Sequence, residues 1–249
     1  MKAETKNNHV QKLIVKRLIQ VAIQFFMLAA ILFLSSGQLD WIWAWVYLIV
    51  GLSGTLIATP IMLRTNPEVI AERAEIKKDS KDWDKTFGRY SMTVTLAMLV
   101  VAGLDQRFGW SDQPFVWSDQ PFGMSYGFPL GLHIIGLVLC AIGFALVFWS
   151  MASNKYFSRY VRIQKERDHA VVSAGPYQHI RHPGYSGLIM STLGTPLLLG
   201  SWWAIIPALL TAGGFMVRTS LEDQTLQTEL DGYEEYTRRV RFRLLPGVW

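Results

Sequence analysis

Residues 185–217 read YSGLIMSTLGTPLLLGSWWAIIPALLTAGGFMV, a run of more than thirty positions without a charge. A helix crossing a hydrocarbon core needs about 20 apolar residues, so this run is too long for one span. Pro196, Gly200 and Pro207 interrupt it. The pattern predicts two helices, about 185–199 and 202–220, meeting near Gly200-Ser201. The first is short, which leaves a re-entrant hairpin as the alternative. In the second, Ala204, Ala208 and Ala212 recur every four residues, and small residues at that spacing allow close helix packing.

Upstream, the apolar residues again fall in blocks. The first covers 18–34. It lacks a clear A-x-A cleavage site and further spans follow it, so it reads as a transmembrane helix and not as a signal peptide. The second covers 41–63 and opens on Trp41, Trp43 and Trp45, an interfacial aromatic belt. The third, 90–104, is short and must borrow flanking residues. The fourth, 129–151, is long enough unaided. Charged residues make up 17% of the 249 positions, against about 25% in an ordinary soluble domain. The expected fold is therefore an all-α, polytopic membrane bundle of about six segments, the last two a short hairpin.

Of the 24 Lys and Arg residues, 23 fall before the first block, between blocks two and three, after block four, or after the hairpin; only Arg107 lies in a segment assigned to the opposite side. The positive-inside rule then predicts cytoplasmic N- and C-termini, in a plasma membrane of bacterial type. An odd number of spans would put the basic C-terminal segment outside, so the charges also favour the hairpin. The net charge of +5 is on this view a topology signal. No soluble basic module with interleaved stacking residues suggests nucleic-acid binding. A single cysteine, Cys140, excludes an internal disulfide, and no Cys/His spacing suggests zinc. Cys140 and His133 both read as buried packing residues of the fourth block. The outer loop holds WSDQPF twice, at 110–115 and 117–122, read as a local duplication with no chemistry.

Two cytoplasmic segments are dense in reactive groups. One, at 154–185, contains Gly175-Pro-Tyr177 and then His179-Ile-Arg181-His182-Pro183-Gly-Tyr185; the other, from Arg218, holds Glu222-Asp223, Tyr233 and Tyr236 and closes on Pro246. Pro183 should hold His182 extended and open a helix at its first turn, whose free N–H groups favour an anion. Arg181 adds a bidentate cation. Adjacent helical residues do not share a face, so one of Glu222 and Asp223 should point into a site. Each group also has a plainer reading. Arg181 can anchor lipid phosphate, His182 can be an ordinary loop histidine, and the acidic pair can bridge to Arg218 or the tail arginines. Tyr177 and Tyr185 can be interfacial, Tyr233 and Tyr236 can pack the tail, and Arg238, Arg239, Arg241 and Arg243 can form a lipid-headgroup stripe.

In order, the elements Gly175-x-Tyr177, Arg181-His182-Pro183-x-Tyr185, Glu222-Asp223, Tyr233-x-x-Tyr236 and Pro246 resemble the isoprenylcysteine carboxyl methyltransferase family and its phospholipid methyltransferase relatives. The likeness covers about 100 C-terminal residues, departs at Asp223 where the family usually has Glu, and does not extend to the first half. It implies an N-terminal membrane region at 1–128 and a catalytic region at 129–249. It also implies S-adenosylmethionine held by Gly175, Tyr177, His179, Arg181, His182, Pro183, Tyr185, Glu222 and Asp223, with Arg181, His182 and Glu222 catalytic. The acceptor would be lipophilic and could enter from the lipid. A carboxylate acceptor, ionised at neutral pH, would need orienting by a cation such as Arg181. An amine would need a base such as Glu222 or His182. A sterol-reductase-type NADPH enzyme and a non-enzymatic membrane scaffold are the competing readings.

Overall fold

The computed structural model describes residues 2–111 and 128–249. Most of the WSDQPF repeat lies outside these residues. Among the described residues the chain is all-helical. It comprises α1 (Lys2–Ser36), α2 (Ile42–Thr65), α3 (Pro67–Glu72), α4 (Asp82–Phe108), α5 (Leu130–Ser153), α6 (Pro183–Leu199), α7 (Ile205–Glu229) and α8 (Tyr233–Arg239).

Among the described residues, four helices are long and apolar enough to cross a membrane: Val10–Ser36 of α1, α2, α4 and α5. Their outward faces carry large apolar side chains such as Phe26, Leu34, Ile57 and Ile142, which water would not tolerate in such number. The chain is built as an integral membrane protein. The third predicted span does borrow its flanks, because α4 begins at Asp82 and ends at Gly109, a left-handed cap. The six-segment expectation turns on α6 and α7, which fall outside the four candidate spans. The helix α6 is only 17 residues long, and α7 becomes polar past Arg218.

The α5–α6 pair shows how the hairpin is seated. A Cβ on Gly136 would lie 2.2 Å from the Leu198 nitrogen, and one on Gly143 would lie 2.6 Å from the Gly187 carbonyl oxygen. From the other helix, a Cβ on Gly187 or Gly194 would meet the Gly143 or Gly136 carbonyl. The two helices run antiparallel with their backbones nearly touching. Because Leu198 reaches Gly136, α6 follows α5 along most of its length. Leucine at 143 should force this seam apart. We expect Gly143→Leu to cost about 3 kcal/mol or more, seen as a lowered unfolding midpoint in detergent.

Ala204 and Ala208 are fully buried and pack in one cluster with Leu32, Met98, Leu99 and Ala102, so the four-residue alanine repeat does bring α7 close to its neighbours. Cys140 is buried between α5 and α6, with its thiol against Ser191 and Thr195. His133 is buried too, stacked on Trp43 and hydrogen-bonded through Nδ1 to the Leu198 carbonyl.

Candidate active site

The loop between α5 and α6 is held by its own polar residues. The Asn154 side chain accepts the Tyr156 N–H at 2.8 Å. Gln164, fully buried, donates to the Tyr156 carbonyl, and the Tyr156 hydroxyl donates to the Asp168 carbonyl. A left-handed Gly175 leads into the short 3-10 turn Gly175–Gln178; a Cβ there would meet Ser153 Oγ at 2.3 Å. Pro183 opens α6 at its first position, as expected, but His182 before it is not extended: its φ of -126° and ψ of 60° fall outside the extended region, where its side chain reaches Asp223.

The C-terminal segment lies against this loop. The Arg181 and His182 N–H groups donate to the Phe242 and Arg243 carbonyls, each at 2.9 Å, and Ser186 Oγ donates to the Leu244 carbonyl. Tyr236 donates to the Tyr177 carbonyl at 2.7 Å. The centre of the junction is Asp223, which has no solvent exposure. Its carboxylate accepts from Arg181 Nη2 (3.0 Å), Tyr233 (2.9 Å), Gln227 (2.9 Å) and Arg243 (3.0 Å), and lies 3.2 Å from His182 Nε2. Burial opposes its ionisation, but His182, Arg181 and Tyr233 outweigh that and hold the carboxyl well below the usual range. Burial pushes the phenols of Tyr177, Tyr233 and Tyr236 up, so they stay neutral donors.

The acidic pair divides as helical geometry requires. Glu222 lines a cavity together with Tyr156, Tyr177, His182, Tyr185 and Arg218, and accepts a hydrogen bond from the Tyr185 hydroxyl. Asp223 turns the other way, into the protein. Of the other residues expected to hold a cofactor, Tyr177, Arg181, His182 and Tyr185 line the cavity, while Gly175, His179 and Pro183 do not. His179 is exposed, because the chain leaves the 3-10 turn with this side chain facing outward. Arg181 also departs from expectation. Its fork is occupied by Asp223 and by the Val240 and Arg241 carbonyls, each 3.1 Å away. Its Nε sits 2.9 Å from Asp223 Oδ1 without hydrogen-bond alignment. Nor is Arg243 part of a free headgroup stripe, since it pairs with Asp223 and covers Trp249.

Several contributors were invisible in the sequence. Arg162, almost wholly buried, pairs with Glu72, Asp79 and Glu166, tying the loop to the segment around α3. Arg218 pairs with buried Asp84 of α4 at 2.8 Å and stacks over Tyr185 and Phe87. Asp84 also accepts the Val161 N–H. His169, beside Tyr156, is held neutral near pH 7: burial, then the Arg162 and Arg167 charges, lower its pKa to about 4. Arg162–Glu166 is a local pair four residues apart, but no local pattern marks the contacts to Glu72, Asp79 and Asp84, whose partners are 77 to 134 residues away.

Residues 132–230, from α5 to the end of α7, match the family model described as phospholipid methyltransferase. The resemblance is to membrane methyltransferases. Protein-S-isoprenylcysteine O-methyltransferase of Schizosaccharomyces pombe is 34% identical over 90 residues, 35% of this chain and 38% of that protein. A probable protein-S-isoprenylcysteine O-methyltransferase of Oryza sativa subsp. indica is 28% identical over 109 residues, 43% of this chain and 57% of that protein. The chain thus matches less than two thirds of the length of these curated relatives. A solved structure of a eukaryotic intramembrane Ras methyltransferase, isoprenylcysteine carboxyl methyltransferase, aligns over 96% of this chain and 98% of that one. The TM-score is 0.45 and the sequence identity 19%.

Proposed function

We propose that this protein is an S-adenosylmethionine-dependent methyltransferase whose acceptor is lipophilic and carries a carboxylate, as an isoprenylcysteine does. The observation that carries this reading is the lining of the cavity, where the motif elements named above meet: Glu222 and Tyr185 beside Tyr177, His182 and the start of α6 at Gly184.

The donor set suits S-adenosylmethionine. The rings of Tyr156, Tyr177, Tyr185 and Tyr233 offer faces for a sulfonium and an adenine. Glu222 offers an acceptor for an ammonium or for ribose hydroxyls, whereas the Tyr185 and Ser186 N–H groups at the start of α6 already donate to the His182 carbonyl. When bound, S-adenosylmethionine supplies an electrophilic methyl group. Methyl transfer to a carboxylate releases no proton, so this chain needs no general base for it. What it must supply is alignment and exclusion of water. Tyr185 holds Glu222 in place by its hydroxyl. Arg181 and His182 act through Asp223, locking the loop to the C-terminal segment, and so serve as positioning residues. The catalytic region proposed is 129–249, with Asp84, Glu72 and Asp79 of the first region bracing it. The termini are proposed to be cytoplasmic, on the side that carries the basic segments.

The test is equilibrium binding to the purified protein in detergent, with radiolabelled S-adenosylmethionine and NADPH compared in parallel. Saturable S-adenosylmethionine binding, and label passed to a lipophilic carboxylate in membranes, is the expected result. NADPH binding without S-adenosylmethionine binding would replace this reading with the reductase. Binding of neither would leave the scaffold.

A further inference from the structure

Two cavities meet at one arginine. The first is the polar cavity at Glu222. The second is an apolar groove between α1, α2 and α5, lined by side chains such as Val21, Phe25, Leu28, Phe144 and Phe148. Arg73, at the end of α3, lines both. Apart from Arg73, the groove's charged lining consists of Arg17 alone. On the polar side Arg159 lines the cavity as well.

These three arginines differ from the others in the site. Arg162, Arg181 and Arg218 each have a carboxylate partner. Among the described residues, no carboxylate lies within ion-pair distance of Arg17, Arg73 or Arg159. Arg73 rests over the Phe157 ring, 5.4 Å from its centroid. Its position is braced by α1, where Gln20 donates to the Ala74 carbonyl and Lys16 pairs with Glu75. Burial, then the like charges of Arg17, Arg159 and Arg218, lower the Arg73 pKa to about 9. A cluster of like charges placed where water gives way to hydrocarbon is satisfied by an anion, and it repels an ammonium.

We infer that Arg73, backed by Arg17 and Arg159, is the specificity-determining clamp for the anionic group of the acceptor, whose hydrocarbon chain lies in the α1–α2–α5 groove. The inference rests on the methyltransferase reading for what happens next, but not for what binds. It makes the acceptor an amphiphilic anion and disfavours a cationic amine headgroup. Because Arg73 borders both cavities, the held carboxylate is presented to the Glu222 side. The groove commits to a carboxylate-bearing lipid by charge: two cations and no acid in an otherwise uncharged lining.

The test is equilibrium binding to the full-length protein in nanodiscs of a zwitterionic phospholipid. The probes are N-acetyl-S-farnesylcysteine, its neutral carboxamide and lysophosphatidate, with S-adenosylmethionine measured separately. Wild type is expected to prefer the carboxylate over the carboxamide by about tenfold or more. Arg73→Gln should abolish that preference and Arg73→Lys should keep part of it, since an ammonium retains charge but not the fork. S-Adenosylmethionine affinity should change less than about twofold, below the size of one lost charged hydrogen bond. Retention of the preference in Arg73→Gln, or no preference in wild type, overturns the clamp. So does a matching loss of S-adenosylmethionine affinity, which would assign Arg73 to the methyl donor. Displacement of the carboxylate by equimolar lysophosphatidate would assign the groove to a phospholipid headgroup and overturn the carboxylate. If wild type discriminates the probes yet binds no S-adenosylmethionine, the clamp stands and the methyltransferase reading falls.

Discussion

Asp223→Ala is expected to destabilise the protein by about 3–5 kcal/mol, because it strands buried cations that have lost their shared counter-charge. Asp223 has no exposure. It gathers Arg181, His182 and Tyr233 with Arg243 and Gln227, so its loss unpins both the loop before α6 and the C-terminal segment. The readouts are a lowered unfolding midpoint and loss of S-adenosylmethionine binding together. A variant that unfolds like wild type would show that the backbone pairing of Arg181 and His182 with residues 242–243 suffices alone. The same carboxylate sets an acid dependence. Its folded pKa is depressed, so its stabilisation is present above the unfolded-state value of about 3.9. It fades as pH falls below that value, and is gone once pH passes the folded one. Asp223→Asn should flatten this part of the stability–pH curve, as measured by urea or thermal unfolding between neutral and acid pH.

Glu222→Gln should do the reverse, leaving the fold intact and damaging the site. Glu222 is half-buried, faces the cavity and takes its hydrogen bond from Tyr185. Glutamine keeps the shape but removes the charge. Losing one charged hydrogen bond to a ligand is worth about 1.5–3 kcal/mol, so S-adenosylmethionine affinity should fall about 10–100-fold, with little change in the unfolding midpoint. Tyr185→Phe, which only frees Glu222, should give a smaller loss. If Glu222→Gln unfolds the protein and Asp223→Ala merely weakens binding, the roles assigned to the pair are exchanged.

The contrast between these neighbours marks where sequence reading stops. That one of the two must face inward follows from helical periodicity. Which one does so depends on how α7 is rotated against α6 and the C-terminal segment, and that is a matter of packing. In the same way His179, inside the motif, faces out, while Arg73, outside any motif, borders the cavity.

The division of 185–217 into two helices was legible because apolar length and the break at Gly200 are written in consecutive residues, although Pro196 and Pro207 fall inside the helices and break neither. The start of α6 at Pro183 was legible for the same local reason. Those local patterns determined the membrane fold and the motif-bearing loop. The tertiary structure alone decided the Asp84–Arg218 pair, the pairing of Arg162 with Glu72 and Asp79, the division of labour between Glu222 and Asp223, and the meeting of two cavities at Arg73. Each of these joins residues far apart in the chain, and charge pairing over such separations has no period or spacing for a sequence to display.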